Sequence, residues 1–243
     1  MKILVACEES QAVTIEMRKL GHEAYSCDIE PCSGGHPEWH IQKDVTKILN
    51  GKCKFITSDG TNHKIDSEWD LIIAHPPCTY LTTCGNRSYS LKHNSAEKVV
   101  ERYLKRDEAI KFFVTIANCN CKKIAIENPQ GYMNTHYRKP DMTIHPYYFA
   151  ESKDDKDNYY QKKTCFWLKG LPVLHRTNNL PKPEPLYYCQ GEKSKGKAIG
   201  WCEGMRGIKG GQKERAKARS KTFPGIAKSM AEQWAGRMEE QNE

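Results

Sequence analysis

A cysteine and a glutamate stand directly after two apolar segments of this sequence. Cys78 closes the segment HPPC after the apolar run 69–74, and Glu127 opens the segment ENP after the run 122–126. A cysteine sulfur is a nucleophile, and a carboxyl group beside a reacting atom gives or takes a proton. Because the carboxyl ends of neighbouring parallel strands meet at one edge of a sheet, both side chains are expected to face one site. The pair predicts nucleophilic catalysis, with Cys78 and Glu127 as catalytic residues.

Substitution at carbon 5 of cytosine is a reaction that needs such a pair. Carbon 5 is too weak a nucleophile in the aromatic ring to attack a methyl donor, so a nucleophile must first add at carbon 6. Negative charge then builds on the ring, and a carboxylic acid beside ring nitrogen 3 neutralises it by hydrogen bonding or proton donation. Cys78 and Glu127 carry the side chains for these two roles.

Hydrophobic patterning predicts the α/β elements that would position these residues. Residues 2–7 and 23–28 are predicted strands on either side of a helix at 11–20, which makes a βαβ unit. The run 69–74 has the continuous apolar character of a buried parallel strand, and its prolines must end it. Further strands are predicted at 122–126 and 164–168, and helices at 45–49, 95–118 and 224–238.

Charge and cysteine content limit the class of protein. The 243 residues carry 38 Lys and Arg against 30 Asp and Glu, with much of the excess at 191–221, and a nucleic acid is a natural partner for such charge.

Eleven cysteines are an odd number in a chain with no secretion signal, so reduced thiols and no metal are expected. No run of about eighteen apolar residues predicts a membrane span, so a cytoplasmic protein is expected.

The two motifs resemble those of one enzyme family. HPPC at 75–78 resembles the nucleophile motif of cytosine carbon-5 DNA methyltransferases, and ENP at 127–129 is similar to their Glu-Asn-Val motif, in the same order and spacing. The chain looks most like the small members carried by bacteriophages, in which DNA modification would serve restriction evasion. The resemblance covers about 1–49, 69–83 and 122–131, and more weakly 159–168 and 215–236.

The resemblance implies a Rossmann-like, S-adenosylmethionine-dependent methyltransferase fold, with the donor at the carboxyl ends of the first strands. Asp28 and Glu30 would bind the ribose hydroxyls and Asp44 the adenine. The residues implied at the donor site are Ala6, Cys7, Glu8, Ser10, Asp28, Ile29, Glu30, Asp44 and Pro76. The family's first turn is rich in glycine and this one has none, so a modified donor, or a transferred group other than methyl, stays open.

Two further catalytic residues follow from the resemblance. Asn128 lies beside Glu127, and Lys163 in the segment Gln161-Lys162-Lys163 corresponds to the family's Gln-x-Arg-x-Arg segment and would place a positive charge near the ring oxygen. The segment 221–225 lies where the family's C-terminal motif completes the donor pocket.

The predicted organisation has three parts. Residues 1–131 form the catalytic and donor-binding α/β core, 132–214 a small irregular substrate-recognition region, and 215–243 a segment and helix that return to the core. Tyr147 or Trp167 in the middle part would stack on bases or, as is more common for such aromatics, lie in the core. A base inside a duplex is out of reach of Cys78, so a DNA substrate would be flipped or single-stranded, with the loop from Thr79 to Arg87 closing over it. The protein is expected to be a monomer or small homo-oligomer.

Other functions stay open on the sequence alone. An exocyclic-amine DNA methyltransferase also has two prolines after a strand, but its direct amine attack leaves Cys78 without a role, and the aromatic Tyr80 comes two residues later. A non-catalytic nucleic-acid-binding protein with a methyltransferase-like fold would explain the missing glycines. A modifier of free pyrimidine nucleotides is a further alternative.

Overall fold

The computed structural model of the protein describes residues 1–192, 195–200 and 219–237. Its strands, in chain order, are β1 (Lys2–Ala6), β2 (Glu23–Asp28), β3 (His40–Gln42), β4 (Cys53–Ile56), β5 (Asn62–Ile65), β6 (Leu71–Ala74), β7 (Ile124–Pro129), β8 (Met142–Ile144), β9 (Thr164–Lys169), β10 (Tyr187–Tyr188) and β11 (Ala198–Ile199). The α-helices are α1 (Ala12–Lys19), α2 (Ala96–Ala117), α3 (Met133–His136) and α4 (Pro224–Met230), and α4 continues as a π-helical segment, Ala231–Ala235. Short 3₁₀ helices lie at Pro37–Trp39, Val45–Lys47, Thr83–Tyr89 and Pro146–Phe149.

Seven strands form a central sheet in the order β3-β2-β1-β6-β7-β9-β8. The first five of these are parallel to one another, and β9 is antiparallel to both β7 and β8. The predicted α/β class with a mostly parallel sheet is confirmed, and the order of the parallel strands is compatible with a Rossmann-like fold. The carboxyl ends of β1, β2, β6 and β7 therefore lie along one edge.

Apolar residues alternate between the two faces of the sheet and form a separate core on each. On one face, α1 and α4 pack against the sheet through fully buried side chains that include Val13, Met17 and Ala227. On the other face, Phe113 and Ile116 of α2 pack with Trp69 and the segment after β3. The strongly apolar runs at β1 and β6 are buried on both sides, which explains why the sequence patterning located them well.

The hairpin formed by β4 and β5 is not predicted by the sequence. Phe55 and Ile65 are buried against the core, whereas Lys54 and Lys64, which precede them, are exposed. Each strand is only 4 residues long, so its alternating pattern is too short to recognise.

The central sheet extends beyond the predicted core boundary at residue 131. β8 and β9 lie in the predicted recognition region, yet β9 pairs with β7 over its full length. Trp167 and Tyr147 are buried, and the Trp167 Nε1–H donates to the Arg138 carbonyl oxygen at 2.8 Å. Because both rings are part of the protein interior, neither is available to stack on a base, and that expectation is wrong.

The C-terminal helix begins at Pro224, as predicted, and its helical part ends at Ala235 rather than at residue 238. Gly236 follows with φ of 69°. In the described parts of the chain, no helix has both the length and the apolar character needed to cross a membrane. Most of the basic stretch 191–221 lies outside the described residues.

Candidate active site

The ends of β6 and β7 bring the two motifs together. Ala74 pairs with Ile126 in the parallel ladder, so the HPPC segment and Glu127 begin side by side. The Asn128 side chain is buried, and its Nδ2 donates to the Pro76 carbonyl oxygen at 2.8 Å. This bond joins the two segments directly. It gives Asn128 a structural role at the site, with its amide directed to the backbone that carries Cys78.

The sulfhydryl of Cys78 is partly buried in this edge. Burial and, to a smaller extent, the negative charge of Glu127 raise the pKa of Cys78 to about 11, against the opposite effect of the positive charge of Lys162. Cys78 is therefore a thiol at neutral pH. The Cys78 carbonyl oxygen accepts the N–H groups of Leu81 and Thr82, each at 2.9 Å, which folds the chain into a tight turn after Cys78.

Glu127 is held as a carboxylate. Burial raises its pKa, but a hydrogen bond from His75 and the positive charges of Lys162 and His75 outweigh this effect, so its pKa lies below the ordinary value. The His75 Nδ1 atom lies 3.4 Å from Glu127 Oε2, and both side chains are largely buried. The site thus pairs a neutral thiol with an ionised carboxylate.

The lysine at this site is Lys162, the neighbour of the predicted Lys163. Lys162 lines a small pocket together with Glu127, Thr164 and Phe223, and its Nζ donates to the Arg219 carbonyl oxygen at 2.8 Å. Lys163 instead lies near His145, whose pKa is lowered by burial and, to a smaller extent, by the charge of Lys163. Successive residues of an extended segment point to opposite sides, so only one of the two lysines can face Glu127.

The loop after Cys78 is packed against α2 and against the turn after β7. Arg102 Nη2 donates to the Thr79 carbonyl oxygen and Arg106 Nε to the Tyr80 carbonyl oxygen, each at 3.2 Å. Arg106 is almost fully buried, with its guanidinium carbon 3.4 Å from the centre of the Tyr89 ring. These contacts order the loop in the free protein. Arg87, at the end of the loop predicted to close over the base, is exposed.

A glycine is required where this loop meets the turn after β7. The Tyr132 N–H donates to the Leu81 carbonyl oxygen at 2.7 Å, and Thr82 forms an isolated bridge with Gly131. A Cβ atom at Gly131 would lie 2.0 Å from the Leu81 oxygen, a distance that no side chain tolerates. The backbones of the loop after Cys78 and of the turn after β7 are therefore in direct contact.

At the ends of β1 and β2, the turn without glycine has an unusual backbone. Cys7 and Gln11 have φ of 60° and 58°, in the left-handed region that usually favours glycine. Ala6 is buried in β1, and Ser10 is partly exposed in the turn. The Gln11 side chain, which the sequence did not single out, accepts the His36 N–H at 3.0 Å and donates to the His36 oxygen at 2.8 Å. It fixes the loop after β2 over the first turn.

The carboxylate of Glu8 is used by α1. Its oxygens accept the N–H groups of Val13 at 2.6 Å and Thr14 at 3.3 Å, and the Thr14 hydroxyl at 2.7 Å. Glu8 is buried, and burial raises its pKa. The side chain predicted at the donor site therefore caps the first helix.

The remaining acids predicted for the donor lie near one another at this edge. Burial, followed by the charges of Asp28, Cys27 and Asp44, raises the pKa of Cys7 well above its ordinary value, which places these groups together. Asp28 Oδ1 accepts the Glu30 N–H at 3.0 Å, and Asp44 Oδ1 accepts the Thr46 N–H at 2.9 Å. Glu30 is exposed, and Ile29 exposes 73% of its surface beside these acids.

The ten cysteines within the described residues are free thiols, Cys202 lies outside those residues, and no group of three or more potential metal ligands occurs in the part of the chain that the structure describes. No protein-family model matches the chain, and no curated protein matches it.

Proposed function

We propose that this protein is a DNA cytosine carbon-5 modifying transferase of the S-adenosylmethionine-dependent methyltransferase fold, which acts through a covalent bond between Cys78 and carbon 6 of the base. The observation that carries the proposal is the pairing of the Cys78 thiol with the Glu127 carboxylate at adjacent strand ends. Direct attack by an exocyclic amine would leave that thiol without a role.

The resting ionisation of the pair defines the first step. A thiolate with a protonated carboxylic acid is the reactive combination, but the pKa of Cys78 is raised to about 11 and that of Glu127 lies below its ordinary value, so the resting pair is a thiol and a carboxylate. Addition must therefore be coupled to proton transfer. Glu127 accepts the thiol proton and passes it to ring nitrogen 3 as the bond between Sγ and carbon 6 forms.

Atoms and electrons balance in this step without an external acid. The electron pair of the C5=C6 bond moves to form C4=C5, and the electron pair of C4=N3 takes the proton at nitrogen 3. The product is an enamine whose carbon 5 is nucleophilic. In the final elimination, a water molecule accepts the carbon 5 proton, and the electron pair of that C–H bond restores C5=C6 as Sγ leaves carbon 6 as a thiolate. Glu127 takes the proton back from nitrogen 3 and returns it to the sulfur, which restores the thiol and the carboxylate.

Lys162 stabilises the negative charge of this site. Its positive charge lowers the pKa of both Cys78 and Glu127, so it acts on the two groups that exchange the proton. Such a charge in a partly buried site stabilises developing anions far more than it would in water. Lys162 is therefore the residue that takes the role expected for Lys163.

The edge formed by β1 and β2 suits a cationic donor without phosphate. A dinucleotide places its pyrophosphate at the N-terminus of the first helix, but here the Glu8 carboxylate occupies that position. Asp28 and Glu30 would hold ribose hydroxyls, and exposed Ile29 offers an apolar surface for an adenine ring. S-adenosylmethionine, or a modified analogue, supplies the group for carbon 5 when it is bound.

Intact-mass analysis with a fluorinated substrate tests the proposal. The protein is mixed with S-adenosylmethionine and single- or double-stranded oligonucleotides of varied sequence that carry 5-fluorocytosine, because fluorine blocks the final elimination. A covalent protein–DNA adduct with the added mass of one methyl group is expected. Cys78→Ala should give none, and Cys84→Ala, which removes an exposed thiol of the same loop, should form the adduct normally.

Other outcomes separate the alternatives. An adduct that forms only with cell extract would mean a donor other than S-adenosylmethionine. No adduct on any DNA, with measurable DNA binding, would contradict the Cys78 reaction and favour a non-catalytic binding protein. An adduct on free nucleotides alone would redirect the substrate to the nucleotide pool.

A further inference from the structure

His75 is an imidazole at the active site that the proposed reaction does not yet use. It is the first residue after β6, and its N–H donates to the Ala6 carbonyl oxygen at 2.9 Å, which continues the pairing with β1. Two prolines follow and restrict its backbone. Its side chain is only 8% exposed. The ring therefore occupies a fixed, dry position beside the reacting groups.

The ring lies between two buried carboxyl groups. Nδ1 is 3.4 Å from Glu127 Oε2, and on the donor side the charge of His75 acts to lower the pKa of Glu8. Both Glu8 oxygens already accept hydrogen bonds from α1. His75 Nε2 is buried and has no hydrogen-bond partner among the described residues. The contact with Glu127 is thus the one that orients the imidazole.

We propose that His75 is a positioning residue, which binds Oε2 of Glu127 through Nδ1–H and thereby assigns the proton transfer to Oε1. This inference rests on the proposed function. A glutamate carboxyl group rotates easily about its last torsion, so its two oxygens exchange places unless one is held. With Oε2 bound to the imidazole, Oε1 is the oxygen that remains to exchange a proton with the thiol and the base.

The assignment also explains how Glu127 serves as acceptor and donor in one step. The hydrogen bond from His75 stabilises the carboxylate, which is the form able to take the Cys78 proton. Oε1 receives that proton and releases it to ring nitrogen 3, while Nδ1–H stays on the imidazole throughout. His75 gains and loses no proton in this step.

Three substitutions at His75 test the contact. Asparagine places an N–H donor close to the position of Nδ1, glutamine reaches toward Nε2, and alanine removes both. The rate of adduct formation with 5-fluorocytosine DNA should fall about 10²-fold in His75→Ala and His75→Gln, and less than about 10-fold in His75→Asn. The control His63→Asn, in the hairpin of β4 and β5, should match wild type.

The pH profile distinguishes positioning from simple packing. The groups that face Glu127 are His75 after β6, Cys78 in the loop and Lys162 ahead of β9. Because the His75 bond lowers the pKa of Glu127, the low-pH limb of the adduct rate should move to higher pH in His75→Ala. His75→Asn, which keeps a donor, should move it less. A packing defect alone would lower the rate without moving the limb.

An NMR measurement on the free protein tests the pair without DNA. The imidazole ¹⁵N resonances of His75, assigned by comparison with His75→Asn, should show a proton on Nδ1 and should shift in Glu127→Gln. Equal resonances in wild type and Glu127→Gln, or equal adduct rates in wild type and His75→Ala, would overturn the positioning role. Absence of the adduct in wild type itself would instead refute the proposed function.

Discussion

The two halves of the sheet edge use their carboxylates in different ways. At the ends of β1, β2 and β3, Glu8 caps α1, Asp28 binds the backbone of its own turn, and Asp44 caps a 3₁₀ helix. At the ends of β6 and β7, the Glu127 carboxylate is held by a side chain, His75, beside a thiol and a lysine. A polar residue at a strand end is thus a good candidate for catalysis only when the local backbone does not consume its hydrogen bonds.

The largest effect is expected for a substitution at Glu127, which should slow adduct formation without changing donor binding. Glu127→Gln keeps the size of the side chain but cannot carry the thiol proton to the base, so adduct formation should slow by about 10³- to 10⁴-fold. Donor affinity, measured by calorimetry with S-adenosylmethionine, should change less than about twofold. A variant that keeps the wild-type adduct rate would show that Glu127 moves no proton.

Replacing Lys162 removes a positive charge beside Cys78 and Glu127 and should change the pKa values of both groups. Because its positive charge lowers the pKa of Cys78 and Glu127, Lys162→Gln should raise both values, and the low-pH limb of the adduct rate should shift to higher pH. The plateau rate should fall about 10²-fold. Lys163→Gln, one residue along the chain, is the matched control and should leave the profile unchanged. Equal effects of the two substitutions would contradict the assignment to Lys162.

The sequence anticipated the parts of this structure that depend on long apolar patterns. The strands that hold the HPPC segment and Glu127 are buried runs, and their parallel pairing follows from α2 between them. The choice between Lys162 and Lys163 depends on which side of an extended segment faces the site, and no sequence pattern records that side. The capping of α1 by Glu8 could not be predicted from the sequence either. It depends on a turn in which Cys7 and Gln11, rather than glycines, adopt positive φ values.

On the donor half, Asp28 is the acid expected to affect binding most. Asp28→Asn keeps an acceptor for the Glu30 N–H but removes the charge, so donor affinity should fall by about 10-fold, in the range for hydrogen bonds to charged groups. Asp44→Asn retains a good capping residue and should change affinity less. Calorimetric titration of both variants with S-adenosylmethionine ranks the two acids. A larger loss in Asp44→Asn would reverse their roles.

The smallest effect is expected at Glu8. A role as a helix cap predicts a loss of stability on substitution, whereas a role in donor binding predicts a loss of donor affinity. As a helix cap, Glu8→Gln should lower the free energy of unfolding by roughly 1–2 kcal/mol and leave donor affinity within about twofold. Because burial raises the pKa of Glu8, the stability it contributes is fully present below the unfolded-state pKa and is lost as pH rises through the folded-state value. In urea unfolding, the advantage of wild type over Glu8→Gln should therefore be larger at acid pH than at neutral pH. A strong loss of donor affinity with unchanged stability would instead mean that Glu8 contacts the donor, and that the two halves of the edge are built alike.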